Sequence, residues 1–140
     1  LALLQDIHHP IQLRLRDLEG MTLKGLVSLN SMNQLEGLDI TGWGHARPSL
    51  REWLGNLTKL KSLALPPNFA DEDTRVLEPL SSLQSLDLRG TNVTDGAVPH
   101  IGQLSALTEV LVADTAITES GIQHLKAIAE ADGRTLQISR

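Results

Sequence analysis

The sequence predicts an α/β solenoid: a stack of similar units, each giving one short parallel strand and a helical or tight-turn return. Three observations lead there. An apolar triplet at positions i, i+3 and i+5 recurs along the chain. A second set of apolar residues stands three and six places before each triplet. Aromatic residues are 2% of the 140 residues while hydrophobic residues are 41%. The core must therefore be built from Leu, Ile, Val and Ala, side chains uniform enough to suit one repeated layer.

The units can be taken in order. Residues 1–9, with Leu1, Leu4 and Ile7, match the tail of a preceding unit or an amphipathic N-terminal cap. The unit at 10–34 opens on a degenerate triplet, Pro10, Leu13 and Leu15 in "PIQLRL", and closes on Leu29 and Met32. The unit at 35–59 carries Leu35, Leu38 and Ile40, then Leu54 and Leu57. The unit at 60–82 carries Leu60, Leu63 and Leu65, then Leu77 and Leu80. The unit at 83–106 carries Leu83, Leu86 and Leu88, then Ile101 and Leu104. The unit at 107–132 carries Leu107, Val110 and Val112, and its helix is lengthened over Gly121–Asp132. Residues 133–140 hold Leu136 and Ile138 and read as a terminal strand, with polar residues guarding its open edge. The four full copies start at 35, 60, 83 and 107, which are 25, 23 and 24 residues apart. Within a copy, the last two apolar residues share one side of a strand, while the tail spacing of three is helical or 3₁₀.

This pattern resembles the leucine-rich repeat family, L-x-x-L-x-L-x-x-N/C-x-L in units of about 20–29 residues. The resemblance covers nearly the whole chain. The segments "GTNVTDGAV" and "DTAITESGI" look like the bacterial and F-box-type subtype, in which a T-x-I/V-T-D-x-G loop precedes the helix. The resemblance implies a right-handed arc, with short parallel strands on the concave face and helices or 3₁₀ turns on the convex face. Thr91 and Thr115 then take the slot usually held by Asn, where a side chain satisfies loop backbone groups. Val93 and Ile117 turn back into the core. Thr94–Asp95 and Thr118–Glu119 open helices, as does the acidic run Asp71–Asp73. Asn68 holds the polar slot of its unit, whereas Leu18 and Trp43 stand in that slot in the two earlier units.

Composition excludes several functions. There is no cysteine, so disulfides, thiolate metal sites and a cysteine nucleophile are ruled out. Formal net charge is −5, which disfavours a nucleic-acid or anionic-membrane surface. No apolar run approaches the length of a membrane span, about 18–20 residues. Five histidines are present, and no carboxylate shares a ligand spacing with them. His8 and His9 are adjacent and so point apart. His100 and His124 occupy equivalent slots and are expected to line up on the helical side. Asn56 and Asn92 open N-x-T triplets, which we read as chance matches. No phosphate-cradling loop and no nucleophile–base spacing is recognisable, and no cofactor is implied.

In an arc of parallel strands the residues between the core leucines face outward on the concave side. Arg14, Arg16, Asp39, Asp87, Arg89 and Glu109 therefore become candidate partner-binding residues. Asp87 and Arg89 are expected to pair with neighbours such as Glu109 or Lys61. Trp43 joins the list as a loop anchor, with filling of the core slot as the other reading. The expected function is a non-catalytic protein-interaction module, monomeric, binding a partner protein through the concave face and adjoining loops. Narrower versions are the recognition part of a larger effector or ubiquitin-ligase adaptor, or the accessory domain of an enzyme encoded elsewhere. A self-associating scaffold is the remaining alternative. The compartment is left open between the cytoplasm and secretion.

Overall fold

The structure, a computed structural model, describes residues 10–15, 34–43 and 54–140. The expected cap at residues 1–9, with His8 and His9, lies outside the described residues, as do Arg16, Leu18, Leu29, Met32 and His45. Six strands form one parallel sheet in chain order: β1 (Ile11–Arg14), β2 (Leu35–Asp39), β3 (Ser62–Ala64), β4 (Ser85–Asp87), β5 (Glu109–Leu111) and β6 (Gln137–Ser139). Parallel neighbours cannot be joined by a tight hairpin, so each unit must cross back before its next strand. The register aligns the middle residue of every triplet: Leu38, Leu63, Leu86, Val110 and Ile138 pair in succession.

That alignment builds the core. Leu63, Leu65, Leu86, Leu88, Val110 and Val112 are all buried, together with the tail residues Leu77, Leu80, Ile101 and Leu104. Leu13 and Ile138, in the outermost strands, and Leu15, just past β1, are only partly buried against this cluster. The tail spacing of three resolves into consecutive tight turns. Leu80 N–H donates to Leu77 O at 2.9 Å and Leu83 N–H to Leu80 O at 3.1 Å; Leu104 and Leu107 repeat this on Ile101 and Leu104. Each i→i+3 turn aims the next apolar side chain inward. The returns also hold a 3₁₀ segment at Asp71–Leu77, a short one at Asp95–Ala97, helix α1 (Val98–Gly102) and helix α2 (Glu119–Ala131). Helix α2 starts two residues before the expected Gly121, because Thr118 caps it by accepting from Gly121 N–H at 3.2 Å. It ends at Gly133, whose φ of 71° suits a residue without a Cβ.

The polar slots behave as their chemistry requires. Thr91 Oγ1 donates to Leu88 O at 2.6 Å and Thr115 Oγ1 to Val112 O at 2.7 Å, closing the loop that follows each strand. Val93 and Ile117 return to the core. Trp43 makes the same backbone turn as Thr91, with its N–H on Ile40 O at 3.0 Å. Its side chain is 6% exposed and belongs to the core cluster. Trp43 as a loop anchor is therefore corrected: it fills the core. Phe69 does the same one unit later, in the place of Val93 and Ile117.

Consecutive units are also tied by side chains. Asp71 accepts from both the N–H and the Oγ1 of Thr94, and Asp95 accepts from both the N–H and the Oγ1 of Thr118. Glycine makes room for these carboxylates: a Cβ on Gly96 would lie 2.6 Å from Asp71 Oδ2, and one on Gly121 2.1 Å from Asp95 Oδ1. Asp73 meanwhile accepts from Ala70 N–H at 3.0 Å, a helix-opening role. Near the C-terminus, Arg134 reaches back to Gly102 O at 2.8 Å and Leu104 O at 3.0 Å, and its side chain is 14% exposed.

Candidate interaction surface

The alternation along each strand leaves two rows of outward side chains across the sheet. One row runs Gln12, Gly37, Ser62, Ser85, Glu109 and Gln137; the other runs Arg14, Asp39, Ala64, Asp87, Leu111 and Ser139. Their middle is small, with Ser62, Ala64 and Ser85 over the fully buried Leu63 and Leu86. A depression of about 320 Å³ forms there, walled by Arg14, Asp39, Asp87 and Arg89 and reaching Leu111.

The sheet brings five of the named candidates to one face. Arg14 is exposed and makes no ion pair among the described residues. Asp39 caps the turn after its own strand, accepting from Thr41 N–H at 3.1 Å and Thr41 Oγ1 at 2.7 Å. Asp87, the equivalent residue two strands on, accepts from Arg89 N–H at 3.1 Å, Nε at 2.9 Å and Nη2 at 2.7 Å. The expected partners of this pair are thus corrected. Arg89 folds onto Asp87 of its own unit, two residues back on the same side of the chain, where Asp87 Oδ1 also takes the Arg89 N–H. Asp87 holds the Arg89 guanidinium above its ordinary pKa, first through the hydrogen bond and then through charge. Glu109 instead accepts from Ser85 Oγ at 2.8 Å, and Lys61 pairs with Glu36 at 2.9 Å. With Arg89 57% exposed, its pair is a solvated one that a partner can displace.

Sequence reasoning passed over two features of this region. Leu111 is the only large apolar side chain in the middle of the outward rows, and the β-strand alternation already marked it. The Asp71–Thr94 and Asp95–Thr118 links were legible as a 23-residue separation of an acid from a threonine, yet read only as helix-opening charge. On the helical side, His100 Nδ1 lies 3.1 Å from Glu78 Oε1 of the preceding unit, while His124 is exposed. Among the described residues, no three His, Asp or Glu side chains are grouped to hold a metal ion. No helix there is long and apolar enough to cross a membrane.

A parallel sheet in chain order, leucines in register and a return in every unit define an α/β fold of leucine-rich-repeat type. The solved structure of an internalin from Listeria monocytogenes has this fold, with a TM-score of 0.55 and 22% sequence identity over 90% of the chain. The chain spans 32% of that protein's length. No family profile and no curated protein matches the sequence.

Proposed function

We propose that the chain is a non-catalytic module that binds a partner protein through the concave strand face and the loops beside it. Arg14, Asp39, Asp87, Arg89 and Glu109 are its contact residues, and Arg16 belongs with them by its place in the sequence. The observation that carries this reading is the outward face itself. Polar and charged side chains stand in two registered rows on a sheet whose opposite face is buried in leucine. Such a surface is held rigid by the core, so little ordering is needed when a partner binds. We take the chain as one domain of about five units, at 10–34, 35–59, 60–82, 83–106 and 107–132, with 133–140 as the last strand. It acts as a monomer, and we read the loops at 91–96 and 115–121 as the T-x-I/V-T-D-x-G subtype, with Glu119 in the Asp position of the second. Narrower versions make the chain the recognition part of a larger effector or ubiquitin-ligase adaptor, or the accessory domain of an enzyme encoded elsewhere.

The test is affinity capture from the native lysate with the parent chain and with the double variant Asp87→Arg/Glu109→Arg. Both substitutions lie on the outward rows, so circular dichroism of the variant should match the parent. A protein held by the parent and lost by the folded variant supports the reading. Equal retention by both places the site elsewhere.

A further inference from the structure

The sequence holds two Asp–Gly steps, Asp95–Gly96 and Asp132–Gly133. In such a step the glycine nitrogen can close on the aspartate side-chain carbon, since glycine has no Cβ to obstruct the approach and turns freely. The structure decides whether the peptide between the two residues is free to turn. At Asp95–Gly96 it is held at both ends: Gly96 N–H donates to Thr94 Oγ1 at 3.1 Å, and Asp95 O accepts from Val98 N–H. The Asp95 carboxylate takes two bonds from Thr118, and Asp71 Oδ2 crowds Gly96 from the other side. At Asp132–Gly133 the setting is looser. Asp132 is the C-cap of helix α2, at an end where helices fray. Gly133 N–H donates to Glu130 O at 2.9 Å, and a Cβ on Gly133 would meet nothing within 4 Å. The Asp132 carboxylate is 55% exposed and pairs with Arg134 Nη2 at 2.9 Å.

We propose that Asp132 is a site of spontaneous covalent modification, the conversion of aspartate to isoaspartate, and that Asp95 is spared. The peptide between Asp132 and Gly133 turns by opposite changes in Asp132 ψ and Gly133 φ, which glycine permits without moving the flanking chain. Gly133 N then bonds to Asp132 Cγ. Its proton and the carboxyl hydroxyl leave together as water, and a cyclic succinimide forms. A second water splits the ring. Splitting at Cγ restores Asp132; splitting at the main-chain carbonyl routes the chain through Cβ and Cγ and leaves that carbonyl carbon as the free carboxylate. No oxidant, cofactor or partner is consumed. The product has one extra backbone bond between helix α2 and Arg134. Arg134 carries the bonds to Gly102 O, Leu104 O and Leu107 O, so the rearrangement loosens β6 from the unit before it. This site is independent of the concave-face reading.

The experiment holds the full chain, folded or in urea, at neutral pH and physiological temperature for several weeks. Tryptic digestion then places Asp132 in the peptide 127–134 and Asp95 in the peptide 90–126. Electron-transfer fragmentation separates isoaspartate from aspartate, and a peptide lighter by one water reports the succinimide. In the folded chain isoaspartate should build up at Asp132 on the order of tenfold ahead of Asp95, because two bonds to a charged group must open first at Asp95. In urea the two sites should draw level. The variant Gly133→Ala should keep the parent circular dichroism and react severalfold more slowly at Asp132, since its Cβ obstructs the nitrogen. In the separated isoaspartate product, amide exchange should be faster in β6.

Equal accumulation at Asp95 and Asp132 in the folded chain would overturn the selectivity claimed for the Thr118 bonds. No isoaspartate at Asp132 of the folded chain overturns the proposal, whatever the chain in urea does. Unchanged exchange in β6 of the product would overturn the coupling through Arg134.

Discussion

Asp95 of one unit takes two hydrogen bonds from Thr118 of the next, one from the backbone N–H at 2.7 Å and one from Oγ1 at 2.6 Å. Thr118 uses the same hydroxyl oxygen to accept from Gly121 N–H and cap helix α2. A single carboxylate therefore fixes the entry of the following helix. Asp71 and Thr94 form the same link one unit earlier.

The first prediction concerns Gly121. In most helices Gly→Ala gains about 1 kcal/mol. Here the added Cβ would lie 2.1 Å from Asp95 Oδ1, so Gly121→Ala should lower the thermal midpoint. In an Asp95→Ala background that obstacle is gone, and the same change should cost much less. A double-mutant cycle in urea reads the coupling. Additive effects would mean that the carboxylate and the glycine do not share this space.

Asp95 also makes the link sensitive to acid. The Thr118 hydroxyl, and then its N–H, hold the Asp95 carboxyl below its ordinary pKa. A group depressed in the folded state stabilises fully above its unfolded pKa, about 3.9 for Asp. That contribution is lost as pH falls through the lower folded value. The stability difference between the parent and Asp95→Ala should thus be constant near neutrality and shrink below about pH 4. Urea titrations at several pH values would show it.

The register predicts an alternation of damage along β4. Leu86→Ala should cost about 2–5 kcal/mol, because Leu86 is wholly buried, in register with Leu63 on one side and Val110 on the other. Leu86→Asp should not fold, since a buried charge would have no partner. Asp87→Ala, one residue on and outward, should change the urea midpoint only slightly. Equal damage at both positions would mean the strand is turned over.

Arg134 fastens the final turn to the unit before it. Its guanidinium meets the carbonyls of Gly102, Leu104 and Leu107, and also Asp132 Oδ2 at 2.9 Å. Arg134→Ala should cost about 1–3 kcal/mol by removing its bonds to the Gly102 and Leu107 carbonyls, while Leu104 O keeps the Leu107 N–H. Arg134→Lys should recover little of it, because an ammonium cannot span the fork. Hydrogen exchange should speed up most in β6.

The strands and the core were legible because one spacing, repeated every 23–25 residues, marks the same two strand positions and the same two turns in each unit. The aromatic residues were harder. Phe69 and Trp43 both fill core slots that elsewhere hold a smaller side chain or a threonine, and a loop with two glycines around Trp43 gave no sign of inward or outward. The charge pairs were misread for a geometric reason. A shared strand face suggested that Asp87 and Arg89 pair with neighbours such as Glu109 or Lys61, but at two residues' separation the long guanidinium reaches the carboxylate of its own strand first. The chain then leaves through a left-handed turn at Gly90. Asp114 adopts the same turn one unit later with φ 57°, so the conformation belongs to the loop and glycine is only its easiest occupant.

The Asp71–Thr94 and Asp95–Thr118 links are interchangeable halves. Excising residues 72–95 would join Asp71 to Gly96 and bring Asp71 opposite Thr118, the same pair of partners with one layer fewer. A shorter excision would leave an acceptor facing no donor and the leucines out of line. For a lineage carrying this fold, length therefore changes in whole periods: gain or loss of about 24 residues keeps every junction matched, while smaller insertions and deletions are confined to the outer loops.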